Sequence, residues 1–344
     1  MQDKKNAWKQ LLRWLPGLLI SLIAIYAVLK FIKVDDLKMA FQTVKPRLII
    51  ILVLVQLTGL LIRGKSWQVI LGQGIDYKTA FFGVSEGYFL NNILPFRAGE
   101  LGRSFFVGRR TGKGTFYVLS TIVIERAFDI AFAASFVMLT LPYLIGMDWI
   151  KPVAIIALVL VFFALFLLFL LARNKEKVIS WTSRITKPNK FINWVLPKVQ
   201  NIIDGFSLLT KPTQFFSSLM WLTLCWAVWT MVDYFVLEAI LPGAPIWQCL
   251  FVAGVMALGV AIPSAPSALG VFEASFVAAM AILGAPSGTS LAYALILHLV
   301  QFFVIAIFGG WGLIREGVGF SKILSTIGSN KLETEELTTT GEGS

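Results

Sequence analysis

Charge is what this sequence has least of. Only 14% of its 344 residues are Asp, Glu, Lys or Arg, against roughly a quarter in a soluble domain. A chain so poor in charge is hard to cover with water, which argues against an ordinary soluble enzyme or binding module. Histidine occurs once and cysteine twice, at Cys225 and Cys249, both inside apolar stretches. That is too little for a disulfide framework or a structural zinc centre. The chain has no Gly-rich phosphate loop with Lys and Ser/Thr, no H-E-x-x-H and no G-x-S-x-G. ATP-driven pumping by this chain alone is therefore not indicated, no cofactor or metal is expected, and the sequence does not read as an enzyme.

What it has in excess is apolar residues, 57% of the chain with a mean hydropathy of +0.78, gathered in runs long enough to cross a bilayer. The spacing predicts spans near 15–32, 47–62, 115–141, 152–172, 215–241 and 290–314. Two further apolar units, near 79–112 and 248–284, are broken by Pro and Gly. The fold class is an all-α integral membrane protein, with about six full transmembrane helices plus two re-entrant helical hairpins. The run at 15–32 follows Lys4, Lys5, Lys9 and Arg13 as in a signal peptide, but it is too long and no A-x-A site follows. We read 1–14 as a cytoplasmic basic N-terminus, 15–320 as one membrane domain, and 321–344 as a disordered cytoplasmic tail. Within 173–214, apolar residues from Phe191 to Leu209 recur at helical spacing. That suggests an amphipathic helix on the cytoplasmic interface, the alternative being an ordinary connecting loop.

The net charge of +11 would suggest nucleic acid in a soluble protein. Here the basic clusters sit between spans and, with both hairpins re-entrant, every cluster falls on one side, with a single Lys in the outer connection PYLIGMDWIK, as the positive-inside pattern requires. No nucleic-acid partner is expected. Both termini are placed in the cytoplasm, in the plasma (inner) membrane of a prokaryote.

The broken units resemble one another. Pro95-Phe-Arg-Ala-Gly-Glu-Leu101-Gly102 and Pro263-Ser-Ala-Pro-Ser-Ala-Leu269-Gly270 both read P-x5-L-G, 168 residues apart. The first enters from the cytoplasm and the second from outside, the pattern of an inverted repeat whose broken helices build a site near the midplane. Freed backbone groups at that depth must be buried in protein or line a cavity. The alternative is two surface loops between four full spans.

Charged residues cluster at the breaks. Arg97, Glu100 and Arg103 lie on the first, Glu125, Arg126 and Asp129 on the following span, and Glu273 after the second; His298 and Gln301 lie in the last span. Each charge at membrane depth costs roughly 2.5–3.5 kcal/mol on insertion scales, so partners or water are needed. These residues, with Ser264 and Ser267, are the candidate substrate-binding set: arginine forks suit phosphate. The competing reading is a structural salt-bridge cluster holding the first hairpin to the span at 115–141. Trp221, Trp226 and Trp229 read as interface or packing residues.

The motifs NNILPFRAGELGR, ERAFD at 125–129 and IPSAPSALGVFEA at 262–274 resemble the lysylphosphatidylglycerol synthase transmembrane-region family of flippase-like membrane proteins, over roughly residues 10–320. The larger members join a lipid-translocating membrane region to a cytoplasmic transferase. The longest polar stretch here, 173–214, is far too short for a transferase fold, so the synthase reaction is not expected. What the resemblance implies is movement of a phospholipid or lipid-linked headgroup between leaflets. Two other readings stay open: a membrane-embedded lipid-modifying enzyme, with Glu125 and Asp129 as its acid/base pair, and a non-catalytic partner of a separately encoded lipid synthase. A homo-oligomer is compatible with the sequence, although no dimer motif stands out.

Overall fold

Proline and glycine decide where the helices of this chain stop. In the computed structural model, residues 44–145, 150–174 and 210–315 are described, with isolated positions elsewhere. Apart from such positions, the expected span at 15–32, the amphipathic helix in 173–214 and the tail at 321–344 lie outside the described residues. The described part is all-helical. Helix α1 runs Pro46–Leu71, α2 Tyr77–Ile93, α3 Ala98–Thr111, α4 Thr115–Ile145, α5 Ile150–Arg173, α6 Pro212–Ile240, α7 Ile246–Ala261, α8 Val271–Ile282 and α9 Ser287–Arg315. Single 3-10 turns, Pro95–Arg97 and Pro266–Ala268, separate α2 from α3 and α7 from α8. Among the described helices, α1, α6 and α9 are long and apolar enough to cross a membrane.

The local causes are legible. Asp76 caps α2 by accepting the Thr79 N–H at 3.1 Å. Hydrogen bonding from Thr79 holds the Asp76 carboxyl below its ordinary range. Helix α2 ends at Ile93 because the residue before a proline is pushed out of the helical region; Leu94 is extended, with ψ 142°. Helix α3 ends on Gly112 at φ 67°, the left-handed cap that glycine adopts without a Cβ penalty. At the start of α8, Glu273 reaches back to accept the Gly270 N–H at 2.7 Å.

Helix–helix contacts come in matched pairs. Helix α2 packs on α9 as α7 packs on α4; α3 lies against α4 as α8 lies against α9; α1 touches α2 as α6 touches α7. Helices α1 and α6 pack on each other, and the two 3-10 turns meet. Each hairpin has its own apolar core. One gathers Trp67, Val84, Val107 and Ile122, the other Phe251, Met256, Phe276 and Tyr293. The outer face is apolar too: Phe303, Ile307, Trp311 and Ile314 form an exposed stripe on α9, and Val159, Leu160 and Phe163 are exposed on α5. Such patches are unusual on a soluble monomer.

Two sequence expectations change. The span at 47–62 is a longer helix, so Arg63 is no terminal, water-facing residue; it lies inside α1 and is fully buried. The proline equivalence shifts as well. The turn at Pro95 corresponds to Pro266, not Pro263, because the positive-φ residues are Phe96 and Arg97 in one and Ser267 and Ala268 in the other.

Candidate functional site

The tips of the two hairpins touch. The Phe96 N–H donates to the Ser264 carbonyl at 3.3 Å. Arg97 Nη2 donates to the Val260 carbonyl at 2.8 Å. Both contacts use backbone groups that the helix breaks set free, so each break supplies a partner to the other.

Behind the first tip lies a buried ionic network. Glu125 is fully buried, ten residues into α4, or about 15 Å along its axis. It pairs with Arg63 of α1 and with Arg103 of α3, whose Nη2 stands 2.9 Å from Glu125 Oε2. Arg63 Nη1 also donates to Asp129 Oδ1 at 2.9 Å. Trp67 covers the Arg103 guanidinium, 3.5 Å from its ring centroid. Arg126 completes the set, with Nε 3.1 Å from Glu100 Oε1, Nη2 3.1 Å from Glu125 and Nη1 3.2 Å from Asp129. Arg97 lies 3.7 Å from Glu100. Four guanidinium groups thus meet three carboxylates, leaving one positive charge over within this network. Buried charges require such pairing, because an isolated one costs several kcal/mol even after relaxation.

The network divides by depth. Arg63, Arg103 and Glu125 are sealed and hold α1, α3 and α4 together. Arg97, Glu100, Arg126 and Asp129 line a cavity of about 390 Å³ between the hairpins, as do Ser264, Ser267, His298 and Gln301. Asp233 of α6 lines it as well. Its remaining walls are largely apolar, among them Met256, Val260, Phe272, Leu297 and Ile305. Apolar walls with a few convergent polar groups are the usual form of a ligand site.

The second tip carries a different constellation. Ser267 Oγ lies 2.7 Å from His298 Nε2, and His298 Nδ1 lies 2.6 Å from Glu273 Oε1. The Phe272 ring sits 4.6 Å from the imidazole, centroid to centroid. Asn92, at the end of α2, comes within 3.3 Å of Ser267 through Oδ1. Its Nδ2 is buried without a hydrogen-bond partner, as is Asn91 Oδ1. Leaving such a group unpaired costs roughly 1–3 kcal/mol, so each of these amides can gain by meeting a ligand. Among the described residues no group of three or more His, Cys, Asp or Glu is arranged to hold a metal.

The structure gathers the sequence-selected residues into two neighbouring sets, but Arg103, Glu125 and Glu273 stand behind the cavity wall. Sequence reasoning missed Arg63, Asn91, Asn92 and Trp226. Trp226 Nε1 donates to Asp129 Oδ1 at 3.2 Å, so this tryptophan does more than pack. Glu86 was missed too: it is buried in α2, 3.3 Å from Arg110. An ionisable residue inside an otherwise apolar helix was the available signal for Arg63 and Glu86. For Asn91 and Asn92 it was their place just before the break.

Comparison with known proteins adds kinship. The family model described as the lysylphosphatidylglycerol synthase TM region matches residues 14–309. Two UPF0104 membrane proteins of Methanocaldococcus jannaschii are similar. One is 25% identical over 177 residues, covering 49% of this chain and 52% of the relative. The other is 23% identical over 224 residues, covering 64% of this chain and 91% of the relative. The match thus spans about half the length of the first of them.

Proposed function

This chain belongs to the lysylphosphatidylglycerol synthase TM region family of membrane proteins, and from that premise we propose that it moves a phospholipid or lipid-linked headgroup between leaflets. The path is the cavity between the hairpins, which in this reading are re-entrant halves of an inverted repeat within six full spans. The reading places the protein in a prokaryotic plasma membrane with both termini in the cytoplasm. The membrane domain of 15–320 suffices for it, and a separate lipid synthase or a second copy is a compatible partner.

The observation that carries this reading is the position of Arg97 and Arg126. Both line the cavity, with side chains 30% and 23% exposed, while Arg63 and Arg103 are sealed away. A phosphate entering the cavity meets planar donors that can bind two oxygens at once. Glu100 and Asp129 hold Arg126 in place meanwhile. The acyl chains remain in lipid along the exposed apolar face. A polar path of this kind removes much of the penalty that makes unassisted passage of a charged headgroup slow.

Reconstituted liposomes carrying a fluorescent anionic phospholipid test it, with leaflet exposure followed by dithionite quenching. Wild-type protein accelerates exchange over protein-free vesicles; Arg97→Ala and Glu100→Gln lose most of that acceleration while keeping their fold. Equal exchange in wild type and Arg97→Ala would remove the cavity from the path. Exchange no faster than in empty vesicles, with anionic and zwitterionic probes alike, would count against the transport reading.

A further inference from the structure

Ser267, His298 and Glu273 stand in the order and at the distances of a serine nucleophile, its general base and the carboxylate that orients it. We propose that the second hairpin tip is a serine acyl-transfer site, acting on carboxylic esters of amphiphiles that enter the cavity. This goes beyond the transport reading and does not rest on it.

The argument begins with hydrogen positions. A carboxylate only accepts, so the His298–Glu273 contact at 2.6 Å requires the imidazole proton on Nδ1. In the neutral imidazole Nε2 is then an acceptor, and the Ser267 hydroxyl at 2.7 Å donates to it. That is the protonation pattern from which a serine is activated. Glu273 is fixed in turn, because its other oxygen accepts the Gly270 N–H at 2.7 Å and its backbone is in the first turn of α8. Phe272 lies over the imidazole. The base and its carboxylate are buried, at 8% and 4% exposure, whereas Ser267 is partly open and lines the cavity. A reactive serine needs this combination: a positioned base behind it and room in front.

Two further features fit. Ser267 has φ 58° and ψ 12°, a left-handed conformation that is uncommon for a residue with a Cβ; hydrolase nucleophiles too are carried on sharp, strained turns. The first tip shares this backbone at Phe96 and Arg97, so strain alone does not define a site; only the second tip sets a hydroxyl on it. The other feature is Asn92. Its Oδ1 lies 3.3 Å from Ser267 Oγ and its Nδ2 is a buried donor with no partner; turned over about its Cβ–Cγ bond, the amide presents that donor at Ser267 and leaves the hydroxyl proton to His298. Such a donor is what a developing oxyanion requires. Leu297, Ile305 and Met256 give the cavity an apolar wall for a hydrocarbon chain.

The reaction balances with water as the only co-reactant. Ser267 Oγ bonds to the ester carbonyl carbon as its proton passes to His298 Nε2. The carbonyl oxygen takes the electron pair and is met by the Asn92 amide. The intermediate collapses, the bond to the alcohol oxygen breaks, and the alcohol leaves with the proton from His298. Water then adds to the acyl–Ser267 carbonyl, again giving a proton to His298. The acid departs and Ser267 recovers its proton. Ser267 and His298 are the catalytic residues; Glu273 is a positioning residue.

A fluorophosphonate probe tests this on the full-length protein in detergent, read by intact mass and peptide mapping. A phosphonyl adduct is expected on Ser267, absent after heat denaturation and in Ser267→Ala. Labelling should slow roughly a hundredfold in His298→Gln, the order of a general base. Glu273→Gln should also slow it, with Glu273→Asp recovering part of the rate, which a merely structural carboxylate would not do. A fluorogenic medium-chain ester should be hydrolysed by wild type and not by Ser267→Ala. Failure to label Ser267 in folded protein, or equal labelling in His298→Gln, would overturn the proposal whatever the outcome of lipid exchange.

Discussion

The two hairpin tips have one backbone and two chemistries. Each breaks a helix after a proline-containing 3-10 turn with two non-glycine residues at positive φ. Each second arm begins with a glutamate in its first turn, Glu100 and Glu273. Each glutamate meets a basic side chain on the following long helix, Arg126 in one case and His298 in the other. At the first tip that partner carries a permanent charge and belongs to a network of arginines and carboxylates. At the second it is an imidazole, and the neighbouring side chains are hydroxyl and amide. The comparison teaches that the break is set by backbone geometry, while the side chains grafted on it decide what each face of the cavity can do.

The largest effect should come from setting the arginine network against the His298 one. Glu125→Ala leaves Arg63 and Arg103 buried without their shared carboxylate, and removing one partner of a buried ion pair costs about 3–5 kcal/mol. Glu273→Ala orphans the Gly270 N–H and the His298 Nδ1–H, neutral donors worth roughly 1–3 kcal/mol. Denaturant titration of the detergent-solubilised variants should rank them in that order. Should Glu125→Ala fail to express, Glu125→Gln is expected to show a smaller loss of the same kind. A reversed ranking would mean that the first network is not the firmer half.

An intermediate effect concerns the paired crossings, α2 on α9 and α7 on α4. A Cβ at Gly312 would meet Glu86 Oε1 at 2.6 Å, whereas one at Gly254 would meet the Ala133 carbonyl oxygen at 2.8 Å. A carboxylate at the end of a side chain can shift, here at the cost of its contact with Arg110, and a helix backbone cannot. Gly254→Ala should therefore destabilise by about 1–3 kcal/mol, as overpacking does, and Gly312→Ala by less. Thermal unfolding of the two variants checks this; equal losses would show that the crossings yield alike.

The positions of the breaks were legible because proline and glycine act on the local backbone, and local rules need no partner. The expected units at 79–112 and 248–284 contain both helix–turn–helix hairpins to within a few residues. The pairing of Arg126 with Asp129 is local in the same way, the two being three residues apart on one helix. What sequence could not supply was pairing across helices. Arg103 turns from Glu100 to Glu125, 22 residues on, and Arg63 finds Glu125 and Asp129 because α1 continues past the expected end of its span. Trp226 joins the site through the crossing of α6 beside α4 rather than through any pattern along α6. The eight-residue likeness located the two turns, but its proline register was displaced, since a turn is aligned by its φ angles and not by which proline precedes it.

The smallest effect separates backbone from chemistry most cleanly. Ala268 has φ 54° at the second tip, where the first has Arg97 at φ 56°. A left-handed residue with a Cβ costs roughly 1–2 kcal/mol, and glycine removes that cost while losing roughly 0.5–1 kcal/mol of chain entropy. Ala268→Gly should therefore stabilise the protein slightly, by about 0.5–1 kcal/mol, because Ala268 contributes little beyond its methyl group. Arg97→Gly relieves the same backbone but removes the contact to Val260 and one of the two cavity arginines. It should gain no stability and should lose lipid exchange. Measured together by unfolding and by dithionite quenching, the pair shows whether strain at the tips is a shared structural cost or a local requirement of each chemistry. Destabilisation by Ala268→Gly would mean that the rigidity of the second tip, rather than its strain, is what holds Ser267 against His298.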